Sequence, residues 1–207
     1  MNIVILGPQG SGKGTQAQHL AEAFSIPHIS VGDLLRDEIA AKTTVGKQIE
    51  QLLKGGKFAP PTVVNRLVKK RLELDDAENG WILDGYPRDL NQAEFLDEVA
   101  TIDAVIALDI PDKVAIARIS KRRVCPKCHE VYGLAKKPKK AGVCDICKTK
   151  LVHRNDDKPA AIKQRLKWYH DETEPLIEYY KPRDIVHRIN SNRDSDLVFK
   201  EILGEIG

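Results

Sequence analysis

The chain has 207 residues, is 42% hydrophobic, and carries 33 basic against 30 acidic residues for a net charge of +3. That composition belongs to an ordinary folded domain and argues against a disordered chain. The longest apolar run near the start, Ile3-Val4-Ile5-Leu6, lacks a basic flank and a cleavage site and is far short of the roughly 18 residues that span a bilayer, so neither a membrane span nor a signal peptide is expected and the expected compartment is the cytoplasm.

The charge is unevenly divided. Lys121 to Arg154 holds 11 basic and 2 acidic residues, and the remainder is net acidic. A basic insert on an acidic body fits either a polyanionic ligand, nucleotide or nucleic acid, or a solvated surface loop.

Asn2 to Leu6 is apolar and runs into glycines, so a buried strand feeding a turn is expected first. Gly7-Pro8-Gln9-Gly10-Ser11-Gly12-Lys13-Gly14-Thr15 follows. Glycines there let backbone N–H groups converge on phosphate oxygens; the helix start adds partial positive charge and Lys13 a full one. The general phosphate-loop pattern has Ser or Thr directly after its lysine, for Mg²⁺. Here Gly14 takes that place and Thr15 comes next.

A helix over Lys13–Phe24 places Ala17, Leu20, Ala21 and Phe24 on one face. Apolar runs at Ile26–Ile29, Trp81–Leu83, Ala104–Ile110 and Asp184–Ile189 predict further strands. Helical patterns fall at Asp33–Ala40, Gly46–Lys54, Pro61–Leu72, Asn91–Ala100, Pro111–Arg122, Pro159–Tyr180 and Asp194–Ile206. Asp157 is expected to cap the Pro159 helix, and Pro175 to kink or end it. Strands alternating with helices predict a parallel sheet covered on both faces.

Val124 to Val152 breaks the alternation. With Gly133, Pro138 and Gly142 and no helical period, it reads as an inserted β-rich lobe of small hairpins. Cys125-x₂-Cys128 and Cys144-x₂-Cys147, 15 residues apart, are all the cysteines of the chain. Four thiolates at this spacing match a tetrahedral Cys₄ site, zinc first, with iron or cobalt also open. Two disulfides are the alternative, disfavoured in a cytosolic chain. A closed Cys₄ set leaves no position for a catalytic water, so the metal is expected to be structural, with His129 and His153 as surface residues.

The glycine-rich loop with Gly after its lysine is joined by Leu83-Asp84-Gly85-Tyr86-Pro87-Arg88 and by Ile29-Ser30-Val31-Gly32-Asp33-Leu34-Leu35-Arg36. Arg122-Arg123, His153-Arg154-Asn155-Asp156-Asp157 and Arg165 follow. In order and spacing these resemble the adenylate kinases, nucleoside monophosphate kinases, in the long form with a zinc-binding lid. The resemblance covers the whole chain. It implies an α/β fold, a P-loop NTPase-type parallel five-stranded sheet with helices on both faces. The core would take residues 1–29, 60–121 and 158–207, a helical AMP-binding insert 30–59, and a small β-rich zinc lid 122–157.

The implied activity is reversible, Mg²⁺-dependent transfer of phosphoryl from ATP to AMP, giving two ADP. The implied protein is a monomer with one structural Zn²⁺, binding these nucleotides and neither nucleic acid nor membrane. Such transfer leaves little covalent chemistry to the protein, so catalysis is positioning and electrostatic stabilisation by cations. By the resemblance, Lys13, Arg88, Arg122, Arg154 and Arg165 are catalytic. Gly10, Ser11, Gly12, Lys13, Gly14, Thr15, Arg118, Arg122, Val131 and Tyr132 bind ATP. Val31, Arg36, Lys57, Phe58, Ala59, Gly85, Arg88, Gln92, Arg154 and Arg165 bind AMP. Asp33 and Asp84 hold Mg²⁺ through its waters, and Gln92 reads the N1 and N6 edge of adenine. Val31 stands where many members have Thr, which removes a hydroxyl near AMP.

Two other readings stay open: a UMP/CMP or GMP kinase of the same family, and a zinc-ribbon protein that binds nucleic acid. The second leaves Asp84–Arg88 unexplained and has one aromatic in the insert, Tyr132, for stacking bases.

Overall fold

The computed structural model describes residues 1–54, 59–134, 136–154 and 157–207, and the side chains of all of these but 53 and 54. Lys57 and Phe58, expected at the AMP site, lie outside the described residues, as do Asn155 and Asp156.

β1 (Asn2–Leu6) is the central strand of a five-stranded parallel sheet. β2 (His28–Ser30) and β3 (Trp81–Asp84) lie to one side of it, and β4 (Ala104–Asp109) and β7 (Val186–Asn190) to the other, in the order β2-β3-β1-β4-β7. Ile3 pairs with Ile82 and with Ala104, so the register aligns apolar residues across the sheet. Successive side chains of a strand point to opposite faces, which divides β1 between two cores. Ile3 and Ile5 pack with Leu20, Ile106 and Ile202, and Val4 and Leu6 with Leu83, Leu96 and Tyr180. Ile3, Val4, Ile5 and Leu6 are all buried because both faces are covered.

The first face is covered by α1 (Lys13–Phe24) and α9 (Ser195–Ile206) through Ala17, Leu20, Val198 and Ile202. The second is covered by α4 (Pro61–Leu72), α5 (Leu90–Val99) and α8 (Leu176–Tyr180). α2 (Val31–Ala40) and α3 (Thr44–Lys54) pack on each other between β2 and α4. α6 (Asp112–Ser120) and α7 (Pro159–Trp168) meet through Ala115, Ile119, Ile162 and Leu166. Between these two helices runs the cysteine insert, with β5 (Arg123–Val124) and β6 (Val131–Tyr132) antiparallel and bridges joining Val124 to Val152 and Val143 to Lys150. No helix among the described residues is long and apolar enough to cross a membrane.

Ser30, Asp89 and Asp194 accept the backbone N–H of Asp33, Gln92 and Asp196 and so cap α2, α5 and α9. Such caps contribute about 1 kcal/mol each. Two expectations are corrected. Asp157 is not the cap of α7: the cap position is Lys158, which makes no side-chain bond, and the Asp157 carboxylate is taken up by arginines. The expected single helix over Pro159–Tyr180 is divided, with a π turn at Tyr169–Thr173 between α7 and α8. Pro175 has no N–H to give and its ring would strike the carbonyl four residues back. The wide turn, closed by Glu174 N–H on the Tyr169 carbonyl at 2.7 Å, carries the chain past it.

Candidate active site at the carboxyl ends of the strands

In a parallel sheet all carboxyl ends lie at one edge, and ligands gather where connections leave in opposite directions. Here that point is β1, because the chain goes first to β2 on one side and later from β3 across to β4. A cleft of about 1100 Å³ opens there, between the loop after β1, the end of β3, α2, α6, α7 and the cysteine insert.

The loop after β1 is shaped by its glycines. Gly12 caps α1 with φ 99°, a left-handed conformation that L side chains rarely adopt. At Gly14 a Cβ would lie 3.3 Å from Oδ2 of Asp84, a tight contact at the position where the general pattern has its hydroxyl residue. Lys13 Nζ donates to the carbonyls of Gly7 and Pro8 at 2.6 and 2.9 Å. Burial pushes its pKa down to about 8; Asp84 opposes the shift, and the charges of Arg88, Arg165 and Arg122 add to it. Those arginines are therefore close enough to act on Lys13 through one field. Ser11 is buried with an unpartnered Oγ.

Arg118, on α6, donates to the carbonyls of Gly10 and Ser191 at 3.3 and 3.1 Å, which ties the phosphate loop to the segment before α9. Arg122 forks onto Asp157, Nε to Oδ2 at 2.9 Å and Nη2 to Oδ1 at 2.5 Å. Arg165 Nη1 lies 3.7 Å from the same Oδ1, and Asp157 is only 1% exposed. A carboxylate buried this fully needs paired cations, and it fixes both guanidiniums at the cleft wall. Asp157, the last residue of the His153–Asp157 motif, thus anchors two arginines and does not cap the helix.

At the end of β3, burial works against the charge of Asp84, but His28, Lys13 and Arg88 together hold its carboxyl below the usual range. His28 Nε2 stands 3.7 Å from Asp84 Oδ2; no spacing in the sequence points to that neighbour. Arg88 Nε donates to the carbonyl of Gly85 at 2.7 Å, and its backbone N–H donates to Oε1 of Gln92 at 2.9 Å. On α2, Asp33 accepts Arg36 Nη2 at 2.6 Å and Nε at 3.0 Å. Burial opposes ionisation of Asp33, but Arg36 outweighs it and lowers the pKa. His129, expected as a surface residue, brings Nδ1 to 2.9 Å from Asp33 Oδ1 and Nε2 to 3.5 Å from Asp37 Oδ1, so the cysteine insert reaches across to α2.

The cleft is thus lined by Gly10, Ser11, Gly12, Lys13, Gly14, Thr15, Asp33, Arg36, Asp84, Gly85, Arg88, Arg118, Arg122, Val131, Tyr132, Arg154 and Arg165. Three expected AMP residues are not on its wall. Val31 is 2% exposed and packs in the apolar core, where its methyl is buried without needing a hydrogen-bond partner. Ala59 packs against the same core, and Gln92, 5% exposed, stands behind Arg88. Tyr132 lines the cleft but commits its hydroxyl to the insert, accepting Asp145 N–H at 2.8 Å and donating to Cys144 Sγ at 3.6 Å.

The four cysteines converge. Sγ of Cys125 and Cys147 are 3.2 Å apart, those of Cys128 and Cys144 3.5 Å, and those of Cys128 and Cys147 3.6 Å. None is disulfide-bonded. A Zn–S bond of about 2.3 Å gives a tetrahedron with edges of about 3.8 Å, close to these spacings. Hydrogen bonds from Thr149 bring the Cys147 thiol down to about 6, while burial and the neighbouring thiols push Cys128 up to about 12. Four sulfurs this close cannot all ionise without a cation, so the cluster can hold a metal ion.

The adenylate kinase family model matches residues 5–185 of the chain. The chain is 42% identical to a protein named adenylate kinase from Thermosipho africanus, over all of this chain and 99% of that protein. It is 43% identical to one from Kosmotoga olearia, over 98% of this chain and 97% of the relative. With one from Caldicellulosiruptor saccharolyticus it shares 42% identity, over all of this chain and 99% of the relative.

Proposed function

The chain belongs to the adenylate kinase family, and on that premise we propose that it transfers phosphoryl reversibly from ATP to AMP, giving two ADP. The observation that carries the reading is the convergence of Lys13, Arg36, Arg88, Arg122, Arg154 and Arg165 on one cleft, with the phosphate loop on one side and α2 on the other. A transferring phosphoryl group spreads charge over its oxygens and asks for fixed cations rather than a nucleophile.

In this reading Lys13 leaves the carbonyls of Gly7 and Pro8 for the donor's β and γ phosphates, and Arg118 lies against the donor nucleotide. Arg36 and Arg88 hold the AMP phosphate, and Arg122, Arg154 and Arg165 surround the group in flight. Arginine suits these places because its planar fork meets phosphate oxygens in pairs and stays charged when dehydrated. Mg²⁺, held through its waters by Asp84 and Asp33, would neutralise charge between the phosphates.

Residues 1–29, 60–121 and 158–207 form the core, 30–59 the AMP-binding insert and 122–157 the lid. The cysteines hold one structural Zn²⁺, and the small lid, which buries little apolar surface, depends on it for its fold. Adenylate kinase lids are a standard case of closure over bound nucleotide, which keeps water from the transferring group. The protein acts as a cytoplasmic monomer on nucleotides alone, and the basic charge of the lid serves ATP rather than nucleic acid. The test is conversion of ATP and AMP to ADP followed by ³¹P NMR with and without Mg²⁺. Rapid Mg²⁺-dependent exchange is expected. No ADP from AMP, with transfer to UMP or CMP instead, would replace the reading with a sister kinase.

A further inference from the structure

Thr173 lies in the π turn, 7% exposed, and its Oγ1 donates to the backbone carbonyl of Arg88 at 2.7 Å across 85 residues of sequence. A helical threonine normally returns its hydroxyl to a carbonyl of its own helix. This one serves another segment, and that segment bears an arginine of the cleft. We propose that Thr173 is a positioning residue for Arg88, brought to it by the π turn that Pro175 imposes.

Several hydrogen bonds meet on Arg88. Gln92 Oε1 takes its N–H at 2.9 Å, Thr173 takes its carbonyl at 2.7 Å, and Gly85 takes its Nε at 2.7 Å. The peptide is therefore fixed on both sides and the guanidinium stem at a third point. Electrostatic catalysis needs its cations placed to within about 0.5 Å before the charge develops, which is what such ties provide. The Gln92 and Gly85 bonds are local, within four residues of Arg88. The Thr173 bond is long-range and ties Arg88 to the turn that continues the helix of Arg165.

The π turn is the means. Each residue of an α-helix advances the chain by about 100°, so one extra residue in a turn rotates everything beyond it by that amount. Tyr169, Thr173, Leu176, Ile177 and Tyr180 are all buried. The widened turn thus satisfies Pro175, keeps the apolar stripe inward and leaves one hydroxyl facing the β3 loop. Replacing that hydroxyl by a methyl would leave the half-buried Arg88 carbonyl without this donor.

This rests on the role given to Arg88 in the proposed reaction, and the experiment separates the two. Initial rates are measured with ATP and AMP varied in turn for the unsubstituted protein, Thr173→Val, Thr173→Ser, Arg88→Ala and the Arg88→Ala/Thr173→Val pair, each with its melting temperature. Thr173→Val is expected to lower kcat about tenfold and raise KM for AMP, with KM for ATP within about twofold. Thr173→Ser, which keeps the donor, restores kcat to within about threefold. The double variant is no slower than Arg88→Ala alone, because Thr173 acts through Arg88. Should Thr173→Val not fold, Thr173→Ala takes its place. Unchanged kcat and KM for AMP in either, a Ser variant as impaired as Val, or losses that add in the double variant would each overturn the proposal. Absence of any ATP–AMP transfer in the unsubstituted protein would overturn the adenylate kinase reading itself.

Discussion

The backbone N–H of Arg88 donates to Oε1 of Gln92, so the residue proposed to hold the acceptor phosphate orients the side chain that the family resemblance assigns to the acceptor base. A flipped amide would set donor against donor at Arg88, which excludes the flip that would let Gln92 suit guanine or uracil. Gln92 stands behind Arg88 in the nucleotide-free cleft, and what it would offer a base that reaches it is the amide N–H₂ and one lone pair of Oε1, matching N1 and N6 of adenine. AMP should therefore be a much better acceptor than GMP or UMP. Gln92→Leu should reduce that preference by roughly tenfold to a hundredfold in kcat/KM and leave KM for ATP nearly unchanged. Rates with the four monophosphates at fixed Mg·ATP decide it, and a best rate with UMP or GMP would refute it.

Lys13 carries the second prediction. Its pKa of about 8 belongs to the nucleotide-free cleft, and only the ammonium form can meet phosphate oxygens. kcat/KM for ATP reports the free enzyme, so it should be level below pH 8 and fall toward about tenfold per unit above it. Lys13→Arg should move the break upward, and Lys13→Ala should lower kcat by about 10²-fold or more. A profile flat to pH 9.5 in the unsubstituted protein would count against the assignment.

For the cysteine cluster, Cys128→Ser should lower both the melting temperature and the metal content measured by mass spectrometry. Activity at low temperature should largely survive, because a Cys₄ set offers no position for substrate or water. Loss of kcat in a folded, metal-free variant would make the metal more than structural.

His170 gives a pH dependence of stability. Its Nδ1 is 2.7 Å from Glu174 Oε2 and its Nε2 3.1 Å from Asp112 Oδ1, joining the π turn to the start of α6. Glu174 first and then Asp112 raise its pKa above the ordinary value of about 6.5. A raised folded-state pKa means the folded chain holds the proton more tightly, so the contribution is full below about pH 6.5 and is lost as pH rises through the raised value. The stability gap between the unsubstituted protein and His170→Gln, measured by urea unfolding, should close between pH 6 and 9. A gap that widens over that range would contradict the sign.

Much of this was legible in the chain because the signals were local. The run Asn2–Leu6 into Gly7–Lys13 announces strand, turn and helix together, and the paired Cys-x₂-Cys units name their own ligand set. What stayed hidden depends on partners far away in sequence. Asp157 looked like a helix cap because nothing nearby marks Arg122 as its partner, 35 residues earlier. Thr173 meets Arg88 through a turn whose width follows from a proline but whose direction follows from core packing. β2 begins at His28 and not at Ile26 because Pro27 lacks an N–H, though its carbonyl still accepts Ile82. Val31 was read against a family position near AMP, and the fold turns its side chain into the core.

Val124 and Val152 exchange both backbone hydrogen bonds at 2.9 Å, so the cysteine insert leaves and re-enters the core through one closed rung. To the helices on either side, the whole insert is equivalent to a short link whose ends already touch. Lengthening a closed loop is cheap, about 0.6 kcal/mol per doubling. The insert is therefore a cassette: a shorter loop without cysteines, or a longer one with a different ligand set, could be grafted onto the same rung without altering the sheet beneath. A metal bound by the four cysteines would act on the stability of the insert first, and on the core only through contacts such as His129 with Asp33.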